Sequence, residues 1–340
     1  MEVDLKMKEN NNKIHGGGNR DYAIDIIKFI AMIMVLGLHQ QFGRHDNCCS
    51  TQVIASISGI AIPLFFMVNG YLMTFRKLDY HYVVNKIYRI LRFIFFIGIL
   101  YWLFFHVRKG ELSPITMLKN DVLSLIQLGD MSIFWFFGAM MILYALMPII
   151  NKMTNTYKGY LPSMLLSLIV IQFIIFILNI KWKFEGDVIQ TFRVWNWIYY
   201  FLIGAVIKRI HEKIKIRINF VSILILAIVY IWFIRVTYNT VEVRDRYFGA
   251  VTCTVYSVVL FIFIVQRIKQ NNNIIKNVSN LFLPIYSLHP LYFMVYYHFV
   301  DTTFMGELSP IFDFTINTVV LIFICYWLMK VPCMNNIFRI

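Results

Sequence analysis

The 340-residue chain is 59% hydrophobic, 17% aromatic and only 15% charged, with a mean hydropathy of +0.65. That is too little charged surface to clothe a water-soluble domain of this length, so its main solvent is lipid. The net charge of +14 is spread between apolar runs instead of clustered on a polar domain, which excludes nucleic acid as a partner and makes the charge a topology signal.

Residues 1–22 are polar and Asn-rich and lack the apolar core and small-residue cleavage site of a secretion signal. They are expected to form a cytoplasmic tail. About twenty apolar residues cross a bilayer as a helix, because lipid forces every backbone N–H and C=O to pair within the segment. Such runs fall at 24–42, 53–75, 89–107, 131–150, 161–180, 194–207, 219–238, 248–266, 279–299 and 311–329. The fold predicted is all-α: a polytopic bundle of about ten transmembrane helices forming one domain over 23–330, followed by a short cytoplasmic tail at 331–340. With the N-terminus inside, the cytoplasmic segments collect 21 of the 32 Lys and Arg residues and the outer loops 10, with Lys28 lying inside the first run. This asymmetry supports both the number of crossings and the orientation, with N- and C-termini cytoplasmic. The sixth run is the weakest, being short and opening on Arg193 and Asn196; without it the C-terminus would lie outside.

Few ionisable residues lie in the spans, and these are the functional candidates. His39 closes the first run, fourteen residues after Asp25 and so about 21 Å from it. A neutral imidazole toward the outer face can take a proton from a hydroxyl; an interfacial histidine bonded to a loop is the plainer alternative. Asp25 and Lys28, at i,i+3, are expected to pair with each other. Arg89 and Arg92 put two guanidiniums on one helix face at the cytoplasmic start of the third run, which suits a phosphate-bearing cytosolic ligand. Their alternative is anchoring at the interface. In the ninth run, Tyr286, Ser287 and His289 precede Pro290, whose missing N–H leaves a carbonyl unpaired one turn back. They can line a polar cavity at membrane depth, or simply bond between helices. Neither H-E-x-x-H nor a phosphate loop occurs, and the five cysteines show no metal-ligand spacing, so no metal is expected.

In their order these residues resemble acyltransferase family 3, integral membrane acyltransferases that include bacterial envelope polysaccharide O-acetyltransferases. The resemblance is carried by Arg20-x4-Asp25-x2-Lys28 followed by His39, by Ile62 to Leu72 with Asn69-Gly70-Tyr71 at its end, and by Arg89-x2-Arg92. Phe134-Trp135-Phe136-Phe137 leading to Tyr144 and Pro148, Phe201-Leu202-Ile203-Gly204, and Ile285-Tyr286-Ser287-Leu288-His289-Pro290 complete it. The family often has arginine at the position of Lys28 and serine at that of Asn69. The resemblance implies a multi-pass protein of the bacterial plasma membrane. It would take acyl-coenzyme A, acetyl-coenzyme A first, as cytosolic co-substrate, and a glycan hydroxyl as acceptor. Arg89 and Arg92 would bind the donor phosphates, His39 would act as base, and Asn69, Trp135, Tyr286, Ser287 and His289 would line the passage. Asp46, Asp130, Glu242, Asp245 and Glu307 are outer-side acids able to orient the imidazole, and the sequence does not choose among them. No soluble esterase-like domain follows the last run, which implies direct transfer within the membrane domain. A polysaccharide or lipid-linked sugar exporter would share the hydropathy and charge pattern, with the arginines as anchors only. An acyltransferase of another membrane family, acting on lipid or protein, is the third class.

Overall fold

The computed structural model describes residues 21–40, 49–73, 79–106, 113–156, 159–182, 184–211, 213, 217–237, 251–268, 277–300 and 309–338. Among these, 88% are helical and none is in a strand. The described part of each of the ten apolar runs is mainly helical. In chain order the helices are α1 (Tyr22–His39), α2 (Cys49–Ser58), α3 (Ala61–Met73), α4 (Tyr80–His106), α5 (Pro114–Leu125), α6 (Trp135–Thr156) and α7 (Tyr160–Trp182). They continue as α8 (Val194–Ile210), α9 (Phe220–Thr237), α10 (Val251–Arg267), α11 (Phe282–Val300), α12 (Pro310–Leu328) and α13 (Pro332–Ile337).

Length and apolar composition suit a crossing at six places: Tyr22–His39, Cys49–Met73, Tyr80–His106, Ser132–Met153, Tyr160–Asn179 and Pro310–Leu328. Phe220–Val236 and Val251–Arg267 are shorter apolar helices. The second crossing is α2 and α3 end to end, broken by a turn at Gly59 and Ile60, with Pro63 in the first turn of α3 where a missing N–H is harmless. Large apolar side chains point outward along α7, where Leu166, Val170 and Phe173 are exposed, and along α4 at Leu91, Phe95 and Phe96. Exposed apolar faces on helices this long are what a lipid-solvated bundle presents.

Among the helices on the apolar runs, α8 and α11 miss the apolar criterion, and their polar residues Asn196, Ser287 and His289 are buried inside the bundle. α8 is the doubtful sixth run. It has 17 residues, about 25 Å of helix, and yet α3 and α8 pack against each other more extensively than any other pair of described elements. Glycines bring them together. A methyl on Gly70 would overlap the Phe201 carbonyl, and one on Gly204 the Met67 carbonyl, so the two backbones touch as small-residue membrane crossings allow. Two 3-10 turns, Phe184–Gly186 and Gln190–Phe192, precede the N-terminal end of α8. Glu185, Gln190 and Thr191 are buried there, and the Glu185 carboxylate accepts from Asn179, Trp195 and Asn196.

α5 occupies a stretch expected to be an outer loop. Twelve residues make about 18 Å of helix, too short to cross. It folds back along the last turns of α4, showing Ile115, Leu118 and Val122 outward and setting Asp121 against Gly98. Both Asp121 carboxyl oxygens are buried with no hydrogen-bond partner among the described residues, and burial pushes its pKa up to about 7. The neutral form is therefore the one the fold favours. Stability from this group is complete below its unfolded value of about 4 and is lost as pH rises through about 7. Thermal unfolding in detergent should show a wild-type melting temperature that falls between pH 5 and pH 8, and Asp121→Asn should flatten that fall. Parallel curves for the two proteins would remove Asp121 as its source.

Candidate functional site

At one end of the bundle, α1, α3, α4, α6 and α11 surround a cavity of about 290 Å³. Lys28 from α1 and Lys86 from α4 are among the residues that line it, together with Asn69, Tyr144, Phe65 and Phe282. Asn69 is fixed in place: its Nδ2 donates to the Phe65 carbonyl at 2.9 Å and its Oδ1 accepts from Tyr144 at 3.2 Å. Nearby, Tyr71 donates to Asp21 at 3.1 Å while Lys208 stands 4.5 Å over its ring. This end collects cations.

His39 lies at the opposite end of α1, eleven residues from Lys28 and so about 16 Å along the helix. Its ring is exposed, and its centroid is 5.0 Å from that of His289. The His289 side chain is wholly buried. Its Nδ1 is 3.2 Å from the Ile285 carbonyl, while Nε2 has no hydrogen-bond partner among the described residues.

Aromatic rings join the two ends. From the cavity wall, Phe282 packs on Phe65 at 4.4 Å and on Tyr286 at 5.8 Å, and Phe136 reaches Tyr286 at 5.8 Å. Tyr286 is 6.0 Å from His289, which leads to His39. From Phe282 to His289 is seven residues of α11, about 10 Å. The hydroxyls along this file are committed to backbone: Tyr286 donates to the Ile133 carbonyl, Ser287 to Pro284 at 3.1 Å, and Tyr101 to Ser287 at 2.8 Å. Among Tyr286, Ser287 and His289, then, it is His289 that keeps an open polar atom.

Residues 21–330 match the sequence model of the family described as an acyltransferase domain, nearly the whole membrane bundle. The chain belongs to acyltransferase family 3. It is a multi-pass membrane acyltransferase. No curated protein and no solved structure gives a match.

The family motifs acquire physical roles here. Asn69 and Gly70 are neighbours with different tasks, one on the cavity wall and one in the helix crossing that Gly204 completes. Trp135 opens α6 and packs on Trp197 at 5.1 Å, and it is not among the residues that line the cavity. The arginines of the acyltransferase flank the cavity without lining it. Lys86 and Ile90 present one stripe of α4 to it, and Arg89 stands exposed beside that stripe. Arg92 donates to the Asn336 carbonyl at 3.2 Å, two residues before Phe338, which inserts into the cavity wall.

Sequence reasoning passed over Asp313. This carboxylate of α12 accepts from Gln40 at 2.6 Å, from Asn317 at 3.0 Å and from the Tyr296 hydroxyl, and Asn317 accepts from Tyr292 at 2.7 Å. It thereby ties the residue that follows His39 to α11 and α12. An acid inside an apolar run was the available signal. Of the acids proposed to orient the imidazole, Asp130 is exposed and paired with Asn120 at 2.8 Å. Asp46, Glu242, Asp245 and Glu307 lie outside the described residues. No group of three or more metal-ligating side chains occurs among the described residues.

Proposed function

We propose that this acyltransferase moves an acetyl or related acyl group from acyl-coenzyme A, taken from the cytoplasmic side, to a hydroxyl of an envelope glycan on the other side, with His39 as general base. The observation that carries the reading is the continuity of the file: a cationic cavity at one end, a histidine pair at the other, and adjoining rings between them. Donor phosphates would meet Arg89 and Arg92 at the rim and Lys28 and Lys86 inside, Arg92 exchanging the Asn336 carbonyl for a phosphate oxygen. The thioester arm would then follow the apolar file toward His39. His39 takes the proton of the acceptor hydroxyl as its oxygen attacks the thioester carbon; the C–S bond breaks and the proton leaves with the thiol.

Incubating the purified protein with radiolabelled acetyl-coenzyme A and candidate glycans tests this. Label should pass to glycan with release of one free thiol per acetyl transferred. Labelled glycan with no thiol released, or thiol released with no label passing to any hydroxyl, would overturn it. An exporter would release none. Lys28→Met and Lys86→Met should each weaken acetyl-coenzyme A binding by about 10- to 100-fold, as expected for losing a charge-assisted contact. Calorimetric titration of the solubilised protein reads this directly, and unchanged affinity in both variants would move the phosphates elsewhere.

A further inference from the structure

His289 is a buried imidazole whose hydrogen positions the geometry decides. A carbonyl oxygen can only accept, so the 3.2 Å approach of Nδ1 to Ile285 puts the hydrogen on Nδ1 and leaves Nε2 as a bare lone pair. Nε2 is buried and meets no donor among the described residues, an arrangement that folding alone does not favour. Three rings surround His289: Tyr286 at 6.0 Å, Phe293 at 5.9 Å and His39 at 5.0 Å. The Tyr286 hydroxyl is committed to Ile133, and Phe293 has nothing to donate. His39 alone among the three has an N–H to offer. Centroids 5.0 Å apart bring facing ring nitrogens within hydrogen-bond reach.

We propose that His289 is a positioning residue for His39, its Nε2 accepting the His39 N–H so that the other nitrogen of His39 faces the acceptor hydroxyl as a lone pair. The inference rests on His39 being the base. When the hydroxyl oxygen attacks the thioester, its proton moves to that second nitrogen, the C–O bond forms and the C–S bond breaks. The proton then passes to the departing sulfur and His39 returns to neutral. Throughout, the N–H···N bond to His289 holds the ring, and it strengthens while His39 is an imidazolium. A neutral partner does this without burying a net charge beside the apolar file, which a carboxylate in the same place would do. The nearby acid, Asp313, has its charge spread over Gln40, Asn317 and Tyr296 instead.

Nuclear magnetic resonance of the full-length protein carrying 15N-histidine tests the pair without reference to activity, the His39 signals being assigned by their loss in His39→Asn. In wild type, His39 should occupy one tautomer and share a 15N–15N coupling with His289. His289→Phe should leave His39 exchanging between tautomers, and His289→Gln, which restores an acceptor oxygen, should return it to one. Absence of the coupling in wild type overturns the proposal even where His289→Phe fails to fold. So does an unchanged tautomer in a folded His289→Phe protein. In turnover, His289→Phe should lower kcat on the order of 10- to 100-fold, as for a displaced reacting group, with the donor KM unchanged and partial recovery in His289→Gln. Full transfer by His39→Asn would instead sink the base assignment on which the proposal rests, and the coupling measurement tells that failure apart from failure of the pair.

Discussion

His39→Ala is expected to lower acyl transfer by about 10²–10⁴-fold, the range for losing a general base, while leaving the protein at its normal level in the membrane. The separation of the two effects comes from how α1 ends. His39 is its last residue and is exposed, so truncation creates no buried cavity. The end of the helix is fixed by the next residue, since Gln40 is buried and donates both its side chain to Asp313 and its backbone N–H to the Leu36 carbonyl. Donor binding should also survive, because the cavity that holds Lys28 and Lys86 is about 16 Å away along the helix. The expected pattern is a fall in kcat with KM for acetyl-coenzyme A and melting temperature near wild type. Transfer within about twofold of wild type would show that another group removes the proton; a large rise in KM would show that His39 binds the donor.

The helices on the ten apolar runs are legible because lipid imposes a single strong rule on backbone hydrogen bonds, and a window of twenty residues detects it. What escaped that window had one of two physical causes. α5 does not cross, and its Lys119, Asn120 and Asp121 dilute an apolar face that only the fold reveals. α8 looked marginal because Arg193 and Asn196 begin it, yet Asn196 is satisfied by Glu185 and Gln172, and Arg193 donates to the Val188 carbonyl at 2.9 Å. Polar residues thus marked a helix built into the interior.

The candidate site divides in the same way. His39, His289, Asn69 and Arg89-x2-Arg92 were visible as residue types, but their distances were not, and the meeting of α1 with α11 at the histidine pair is a tertiary fact. Lys86 counts in the sequence as a topology charge and Lys28 as a charge inside the first run that pairs with Asp25, and neither pattern tells whether the ammonium faces lipid headgroups or a cavity. Asp313 was averaged away by its apolar neighbours.

Gly204→Ala and Gly70→Ala should each destabilise the fold by at least the 1–3 kcal/mol of ordinary overpacking, because what they strike cannot rotate aside. A methyl on Gly204 would come within 2.6 Å of the Met67 carbonyl carbon and 2.8 Å of its Cα, as well as overlapping its oxygen. One on Gly70 would come within 2.7 Å of the Phe201 carbonyl carbon. Both obstacles are backbone of the facing helix, so relief requires α3 and α8 to separate. Separation would open the stacked contact of Phe66 with Trp197, whose centroids are 4.8 Å apart, and would shift Asn69 and Phe65 on the cavity wall. Stability and donor affinity should therefore fall together, whereas Lys28→Met lowers affinity alone. Gly159 supplies the control: a methyl there meets nothing within 4 Å, and Gly159→Ala should melt at or slightly above the wild-type temperature. The double variant Gly70→Ala/Gly204→Ala should lose less than the sum of the single losses, since one separation relieves both clashes. Additive losses would mean that the two glycines serve different contacts, and a Gly204→Ala protein as stable as Gly159→Ala would mean that the helices never come this close.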